Sequence, residues 1–330
     1  LRFAELIDKR DKMKVQKIKP EATSAPAVVT HELVRHFGKR VAVNGLNLEI
    51  QKGEIFSLLG TNGAGKTTSI KMLCCLLQPT SGTASLMGYD IRKEPDKIKE
   101  IIGVSPQETA ITGHLNTKEN LLLMGGVSGL SKQKSRDRAE ELMHFMGLED
   151  RKDQTRKLSG GMQRRLSIAM ALMADPQILF LDEPTLGLDP HARRQVWEYI
   201  EKLRNDKTIL LTTHYLEEAD ALSDHLAIIH EGRIIAEGTS QELKKRFSKM
   251  QNLKINTEYV PPQLPDMLKN KYVEHVAYNK GILEISAMKI DIYAVMDILR
   301  AQEVKINGIY LQEASLDDIF IKLTEKEVQE

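Results

Sequence analysis

The segment Gly60-Thr-Asn-Gly-Ala-Gly-Lys-Thr67 fits the pattern G-x-x-x-x-G-K-[ST] and constrains this chain more than any other stretch of it. By average residue usage its four fixed positions arise by chance in roughly one chain of this length per hundred. Context makes the match more specific. Glu54–Leu59 reads as a short apolar strand running into the glycines, and roughly Thr67–Leu77 reads as a helix that stops before Pro79. Strand, glycine-rich turn and helix start together make a phosphate cradle: the glycines let backbone N–H groups close around a phosphate, and the helix N-terminus adds a favourable dipole. On this reading Gly60, Thr61, Asn62, Gly63, Ala64, Gly65, Lys66, Thr67 and Thr68 hold a nucleoside triphosphate. Lys66 would reach the β- and γ-phosphates, and the Thr67 hydroxyl would hold Mg2+.

Ile178-Leu-Phe-Leu-Asp-Glu183 reads as a buried parallel strand ending in two carboxylates. Asp182 is placed to bind Mg2+ directly or through water, and Glu183 to polarise a water for in-line attack on the γ-phosphate. Around it the pattern alternates: helix Gly160–Ala174, strand Ile178–Leu181, helix Pro190–Asn205, strand Thr208–Thr212, helix Leu216–Leu222 and strand Leu226–His230. Such alternation implies a largely parallel sheet with helices on its faces. Val41–Ile50 is strand-like but interrupted at Asn44-Gly45, and residues 113–157 read as a helical insert. From about residue 243 the order is strand Leu253–Asn256, helix Gln263–Lys269, strands Val273–Ala277 and Ile282–Ile285, helix Ile290–Ala301, strand Ile306–Leu311 and helix Leu316–Leu323. That β-α-β-β-α-β order is ferredoxin-like.

Composition narrows the classes further. The 330 residues suffice for two domains with proper cores. Lys and Arg number 47 against 46 Asp and Glu, and a net charge of +1 argues against a protein that works by coating nucleic acid. No stretch approaches the roughly 18–20 apolar residues of a membrane-spanning helix. Cys74 and Cys75 are adjacent, which suits buried small side chains in a reducing compartment better than a disulfide or metal site. Residues 1–20 carry a local charge of +4, leaving −3 for the rest, and lead through Pro20–Pro26 as a linker. This arm reads as a solvated helical tail, or as a basic segment near anionic lipid or a membrane partner. Beginning at Leu1 rather than Met, the chain is expected to lack its natural start.

Leu158-Ser-Gly-Gly-Met162, between the cradle and the acidic strand, resembles the signature sequence of the ATP-binding cassette family. The resemblance covers about residues 28–240 and implies further roles. Phe37 matches the aromatic that stacks on adenine. Gln107 matches the glutamine loop that touches Mg2+ and senses the membrane subunit. Asp189 matches the aspartate that communicates across a dimer, and His214 the switch histidine that contacts the γ-phosphate. Ser159, Gly160 and Gly161 form a second helix-start anion site. With Asp182 and Glu183 already serving the chain's own cradle, that second site is best explained if it caps a nucleotide bound to another copy. The expected assembly is a head-to-tail dimer, of identical or paralogous chains, around two ATP. One departure is Met162 where many members have Gln, with Gln163 following.

The segment Glu149–Arg156 lacks the Gly-containing acidic loop of large multidrug-type exporters. Glu313-Ala-Ser-Leu-Asp-Asp-Ile-Phe320 resembles the accessory ending of drug, antibiotic-peptide and sodium-export cassettes. The resemblance therefore implies an α/β P-loop NTPase cassette, with a RecA-like parallel sheet core, an antiparallel β subdomain and a helical subdomain near 108–160. An arm at 1–27, a cassette at 28–240 and a small α+β ferredoxin-like domain at 241–330 are expected. Function follows as an ATPase with Mg2+ and ATP, driving export through an ABC-2 type transmembrane permease at the cytoplasmic face of the cell membrane. Catalysis would rest on Glu183, His214, Gln107 and Lys66, and the metal on Thr67, Gln107 and Asp182. No nucleic acid partner is expected. The basic arm fits either a tail of a separate subunit or a junction to a membrane domain upstream of Leu1. The alternative is a soluble cassette ATPase acting on ribosome or DNA, but neither tandem cassettes nor a long heptad insert is present.

Overall fold

Apolar runs at Ile55–Leu59, Ile178–Asp182 and Thr208–Thr213 are buried along their whole length, as strands covered on both faces must be. The computed structural model describes residues 25–149, 152–247, 251–269, 273, 275–288, 290–312 and 316–327. The basic arm 1–20, residues 150–151 and residues 313–315 of the C-terminal motif lie outside the described residues. The chain divides into two compact units, Leu1–Ile235 and Ala236–Glu330.

The first unit begins with β1 (Val28–Phe37), β2 (Arg40–Ile50), β3 (Ile55–Leu59), α1 (Lys66–Leu73), β4 (Ser81–Leu86), β5 (Tyr89–Asp90), α2 (Pro95–Ile101) and β6 (Ile102–Ser105). It continues with α3 (Thr117–Val127), α4 (Lys132–Phe145), α5 (Gly160–Ala171), β7 (Ile178–Asp182), α6 (Pro190–Glu201), β8 (Thr208–Thr213), α7 (Leu216–Leu222) and β9 (His225–His230), and ends within β10 (Arg233–Gly238). Two sheets result, one of order β2-β1-β4-β5 and one of order β10-β9-β3-β8-β7-β6. In the second, β9, β3, β8, β7 and β6 pair in parallel. Alternate residues of its strands feed two cores: Phe56, Leu58, Ile178 and Phe180 face the β1–β2 side, and Ile55, Leu179, Leu181 and Ile209 face the helical insert and α5. Removing a side chain such as the fully buried Phe180 would cost about 3–5 kcal/mol.

Several boundaries differ from those read in the sequence. The interruption expected at Asn44-Gly45 is a bulge within one continuous strand. Leu33 pairs with Leu46 and Arg35 with Val43, so β2 carries an extra residue there, and Gly45 takes φ +69 to make the bulge. Helix α1 stops at Leu73 rather than Leu77, because Cys75 turns left-handed (φ 59) and the Leu76 and Leu77 N–H groups close back on the Lys71 carbonyl. Helices α5 and α6 end earlier than expected, before left-handed Asp175 and Asn205.

The second unit contains α8 (Ser240–Phe247), β11 (Gln251–Asn256), α9 (Leu264–Leu268), β12 (His275–Asn279), β13 (Ile282–Ala287), α10 (Ile292–Ala301), β14 (Gly308–Gln312) and α11 (Leu316–Glu327). After α8 this is the expected β-α-β-β-α-β order, folded as an antiparallel sheet β12-β13-β11-β14. Its core alternates along the strands (Leu253, Ile255; Leu283, Ile285, Ala287) and is closed by Val295 and Leu299, one turn apart on α10.

Candidate nucleotide site

Strand order alone lines up the chemistry. The C-terminal ends of β3, β8, β7 and β6, adjacent in that sequence, lead respectively into the cradle, His214, the Asp182-Glu183 pair and Gln107. Ligands of parallel sheets sit beyond such ends.

The cradle is built around glycine at close approaches. A Cβ on Gly60 would lie 2.4 Å from the Ile229 carbonyl oxygen. Gly65 takes φ +110, and a Cβ there would lie 2.4 Å from the Ala42 carbonyl oxygen. The Gly232 N–H braces the loop from behind by donating to the Ala64 carbonyl at 2.9 Å. Helix α1 then starts at Lys66 with no acidic residue in its first turn, leaving its N-terminal dipole open to an anion.

Lys66 is 5% exposed; its Nζ donates to the carbonyls of Gly60 at 2.7 Å and Thr61 at 3.1 Å and lies 3.0 Å from Glu183 Oε1. The other carboxylate oxygen of Glu183 lies 2.7 Å from His214 Nδ1. Since a carboxylate only accepts, Nδ1 carries the proton of that bond. Glu183 itself sits in the left-handed region (φ 51), a strain of about 1 kcal/mol, held by its N–H donating to Thr212 O and Oγ1. The Asp182 Oδ1 accepts from Thr67 Oγ1 at 3.1 Å and from Thr212 Oγ1 at 2.6 Å. Sequence reasoning did not single out Thr212 as a support, although Leu211-Thr-Thr-His214 contains it.

Over these groups opens a cleft of about 310 Å3, lined by Phe37, Thr61, Asn62, Gly63, Gly65, Lys66, Thr67, Thr68, Gln107 and Glu183. Two further lining residues, Arg40 and Ala42, were missed, and no local sequence signal marks them. Arg40 Nη2 donates to the Gly63 carbonyl at 3.3 Å. Phe37 is half exposed at the rim, with the Arg35 guanidinium 4.6 Å from its ring centroid. Gly60, Ala64, Asp182 and His214 are not among the lining residues.

Ser159, Gly160, Gly161 and Asp189 do not line this cleft. Ser159 caps α5, accepting weakly from the Met162 N–H at 3.4 Å, and both Ser159 and Gly160 are exposed. Met162 packs against the second core, while the Gln163 amide ties the carbonyls of Thr155 and Leu158. Asp189 caps α6, accepting from the His191 and Ala192 N–H groups, which hold its carboxyl below the usual range. One chain thus carries an exposed helix start at Ser159-Gly160 that does not line its own cleft. Behind the site, Glu218 is fully buried; its Oε1 accepts from Thr185 Oγ1 at 2.7 Å and Trp197 Nε1 at 2.9 Å. Burial pushes this carboxyl up, and nearby Glu183 adds to the rise.

Among the described residues no cluster of three His, Cys, Asp or Glu side chains forms a metal cage. The donor set present suits Mg2+, which is held through one or two carboxylates plus substrate phosphates: a hydroxyl (Thr67) hydrogen-bonded to a carboxylate (Asp182), and an amide (Gln107) in the cleft lining. No described helix is long and apolar enough to cross a membrane.

Comparison with known proteins agrees with this geometry. Residues 43–186 match the ABC transporter family model, and residues 238–324 match the ATP-binding protein DrrA1-3-like, C-terminal domain. The daunorubicin/doxorubicin resistance ATP-binding protein DrrA of Streptomyces peucetius is 39% identical over 305 residues, covering 90% of this chain and 92% of that protein. A Nod factor export ATP-binding protein I of Burkholderia lata is 40% identical over 301 residues, covering 90% of this chain and 96% of its own. Among solved structures, a dimeric ATP-binding cassette in a post-hydrolysis state, bound to ADP and Pi, is similar at TM-score 0.58 and 26% identity, covering 64% of this chain and 98% of that one.

Proposed function

The chain belongs to the ATP-binding cassette transporter family, and from that premise we propose the division of labour among its residues. As a member it is an ATP-binding and ATP-hydrolysing component of an exporter, one that dimerises and works with a transmembrane permease. The alternative of a cassette acting on ribosome or DNA has no support among these relatives.

In the proposed mechanism Phe37 stacks on the adenine, the cradle N–H groups and Lys66 hold the phosphates, and Glu183 accepts a proton from the attacking water. His214 orients Glu183 through its Nδ1–H and faces the γ-phosphate. Thr67, Asp182 and Gln107 would hold Mg2+, which would supply positive charge to neutralise the phosphates. Ser159, Gly160 and Gly161 cap the nucleotide of a second chain, with Asp189 at the junction between copies. Residues 28–240 act as the cassette and 241–330 as the accessory domain. The permease is of the ABC-2 type, and the complex works at the cytoplasmic face of the cell membrane.

The observation that carries this reading is the chain of contacts from Thr67 through Asp182 and Thr212, and from Lys66 through Glu183 to His214, at one end of one sheet. The test is phosphate release by the purified chain with ATP and Mg2+, against the same assay in EDTA. Turnover that requires Mg2+ and vanishes in Glu183→Gln supports the assignment; Mg2+-independent turnover overturns it. Co-purification with a six-helix permease tests the partner.

A further inference from the structure

Strand β6 and helix α5 are fastened at three successive levels. At the first, Gly103 packs so closely that a Cβ there would lie 2.2 Å from the Ala171 carbonyl oxygen. At the second, the buried Ser105 and Ser167 hydroxyls lie 2.8 Å apart. At the third, just past the strand, Arg164 Nη1 donates to the Pro106 carbonyl and Nη2 to the Gln107 carbonyl, each at 2.8 Å. The positions 103, 105 and 107 recur at the period of a strand, and 171, 167 and 164 at the period of a helix. The two periods meet face to face along one seam. Its last link is charged: Arg164 is 5% exposed, and among the described residues no carboxylate pairs with it directly. Burial works against its charge, the carboxylates of Asp182, Glu218 and Glu183 offset part of that, and its fork is spent on two backbone carbonyls.

We propose that Arg164 is a positioning residue that makes the Gln107 loop and the signature at the start of α5 one rigid body, so that docking of the signature on a second chain's nucleotide sets Gln107 in its own cleft. Ser159–Gly161 open the helix that Arg164 sits on, little more than one turn away, and Gln107 itself carries one of the two carbonyls that Arg164 grips. A displacement of α5 is therefore delivered to Gln107 through two charge-assisted hydrogen bonds rather than through a flexible loop. Because α5 serves the second chain's site while Gln107 serves this one, the seam couples the two nucleotide sites of a dimer. The inference rests on the roles proposed above for Gln107 and the signature.

The test uses the full chain and four proteins: wild type, Arg164→Lys, Gln107→Ala and the double variant. Lysine keeps the charge but cannot grip two carbonyls as a fork. Arg164→Lys should leave the affinity for a fluorescent ATP analogue within about twofold, lower kcat by about 10- to 100-fold through misplacement of Gln107, and bring the Hill coefficient for ATP to 1. In the Gln107→Ala background the same substitution should change kcat little, because Gln107 is the group through which it acts. Equal loss in both backgrounds, or a Hill coefficient unchanged from wild type, would overturn the proposal while leaving the Gln107 role standing. A Gln107→Ala chain with wild-type kcat removes that role, and this proposal with it. If Arg164→Lys melts early, Ser167→Ala serves as the second probe. It cuts the middle link alone and should lower cooperativity without lowering analogue affinity, whereas loss of affinity and melting temperature together would mark the seam as structural only.

Discussion

Lys66 Nζ lies 3.0 Å from Glu183 Oε1, and both side chains are 5% exposed. The cation of the phosphate cradle and the base proposed to activate water are thus a buried ion pair. On the proposed roles, a γ-phosphate entering the cleft would compete with Glu183 for the same ammonium, so substrate binding would transfer Lys66 to the phosphate and leave Glu183 to His214 and the water. Glu183→Gln should therefore bind ATP at least as well as wild type while its turnover falls by about 100- to 10,000-fold. Nucleotide titration beside single-turnover phosphate release checks this. Near wild-type turnover would remove Glu183 from the role of base.

Lys66→Ala makes a different prediction. It would remove the proposed cation from the phosphates and leave Glu183 buried with His214 as its remaining ion-pair partner among the described residues. Breaking a buried pair from one side costs about 3–5 kcal/mol, so this variant should melt well below wild type as well as lose nucleotide binding. Lys66→Met with Glu183→Gln removes both charges together; it should recover most of the melting temperature and none of the binding. A double variant as unstable as Lys66→Ala would show that the pair is not what the stability depends on.

The parts of this site legible in the sequence are those whose chemistry is set by short contiguous spacing. Gly60–Thr68 needs only a strand before it and a helix after it, and Asp182-Glu183 needs only the end of an apolar strand. Gln107, Phe37 and His214 are legible only through resemblance; the order of the second sheet brings Gln107 and His214 to the ends of neighbouring strands, and Phe37, from the other sheet, lines the same cleft as Gln107. Arg40, Glu218 and Arg164 were not legible because each acts on a partner distant in sequence: Arg40 on Gly63, Glu218 on Thr185 and Trp197, Arg164 on Pro106 and Gln107. Strands β4 and β6 are illegible in the sequence for a simpler reason. Ser-Gly-Thr-Ala-Ser-Leu and Ile-Gly-Val-Ser are rich in small and polar residues, and their partners rather than their own propensities make them strands.

Glu218 ties stability to pH. Burial raises its carboxyl in the folded chain, so the folded state holds this proton more tightly than the unfolded one. The stabilisation is complete below the unfolded value, about 4.3, and is lost as pH rises through the raised folded value. Glu218→Gln keeps an oxygen to accept from Thr185 and Trp197 and has no proton to lose, so its melting temperature should fall less than that of wild type as pH rises. Glu218→Ala leaves both donors unpaired and should cost about 1–3 kcal/mol at every pH. Parallel pH profiles for wild type and Glu218→Gln would refute the upward shift of the buried carboxyl.

Glycine in the cradle separates space from strain. Gly65 and Gly88 both take positive φ, +110 and +85, so alanine is strained at either. They differ in what a methyl would meet: the Ala42 carbonyl oxygen at 2.4 Å for Gly65, and nothing within 4 Å for Gly88. Gly88→Ala should therefore cost only the left-handed penalty, about 1–2 kcal/mol, and leave ATP turnover unchanged, because the turn it occupies touches no part of the cleft. Gly65→Ala must push the loop off β2, moving the N–H groups that start α1, and should lose nucleotide affinity by more than tenfold, worth about 1.4 kcal/mol or more of binding. Thermal melts and nucleotide titrations of the two variants decide it. Equal affinity losses in both would mean that left-handed strain, rather than the contact with Ala42, is what the cradle cannot accommodate.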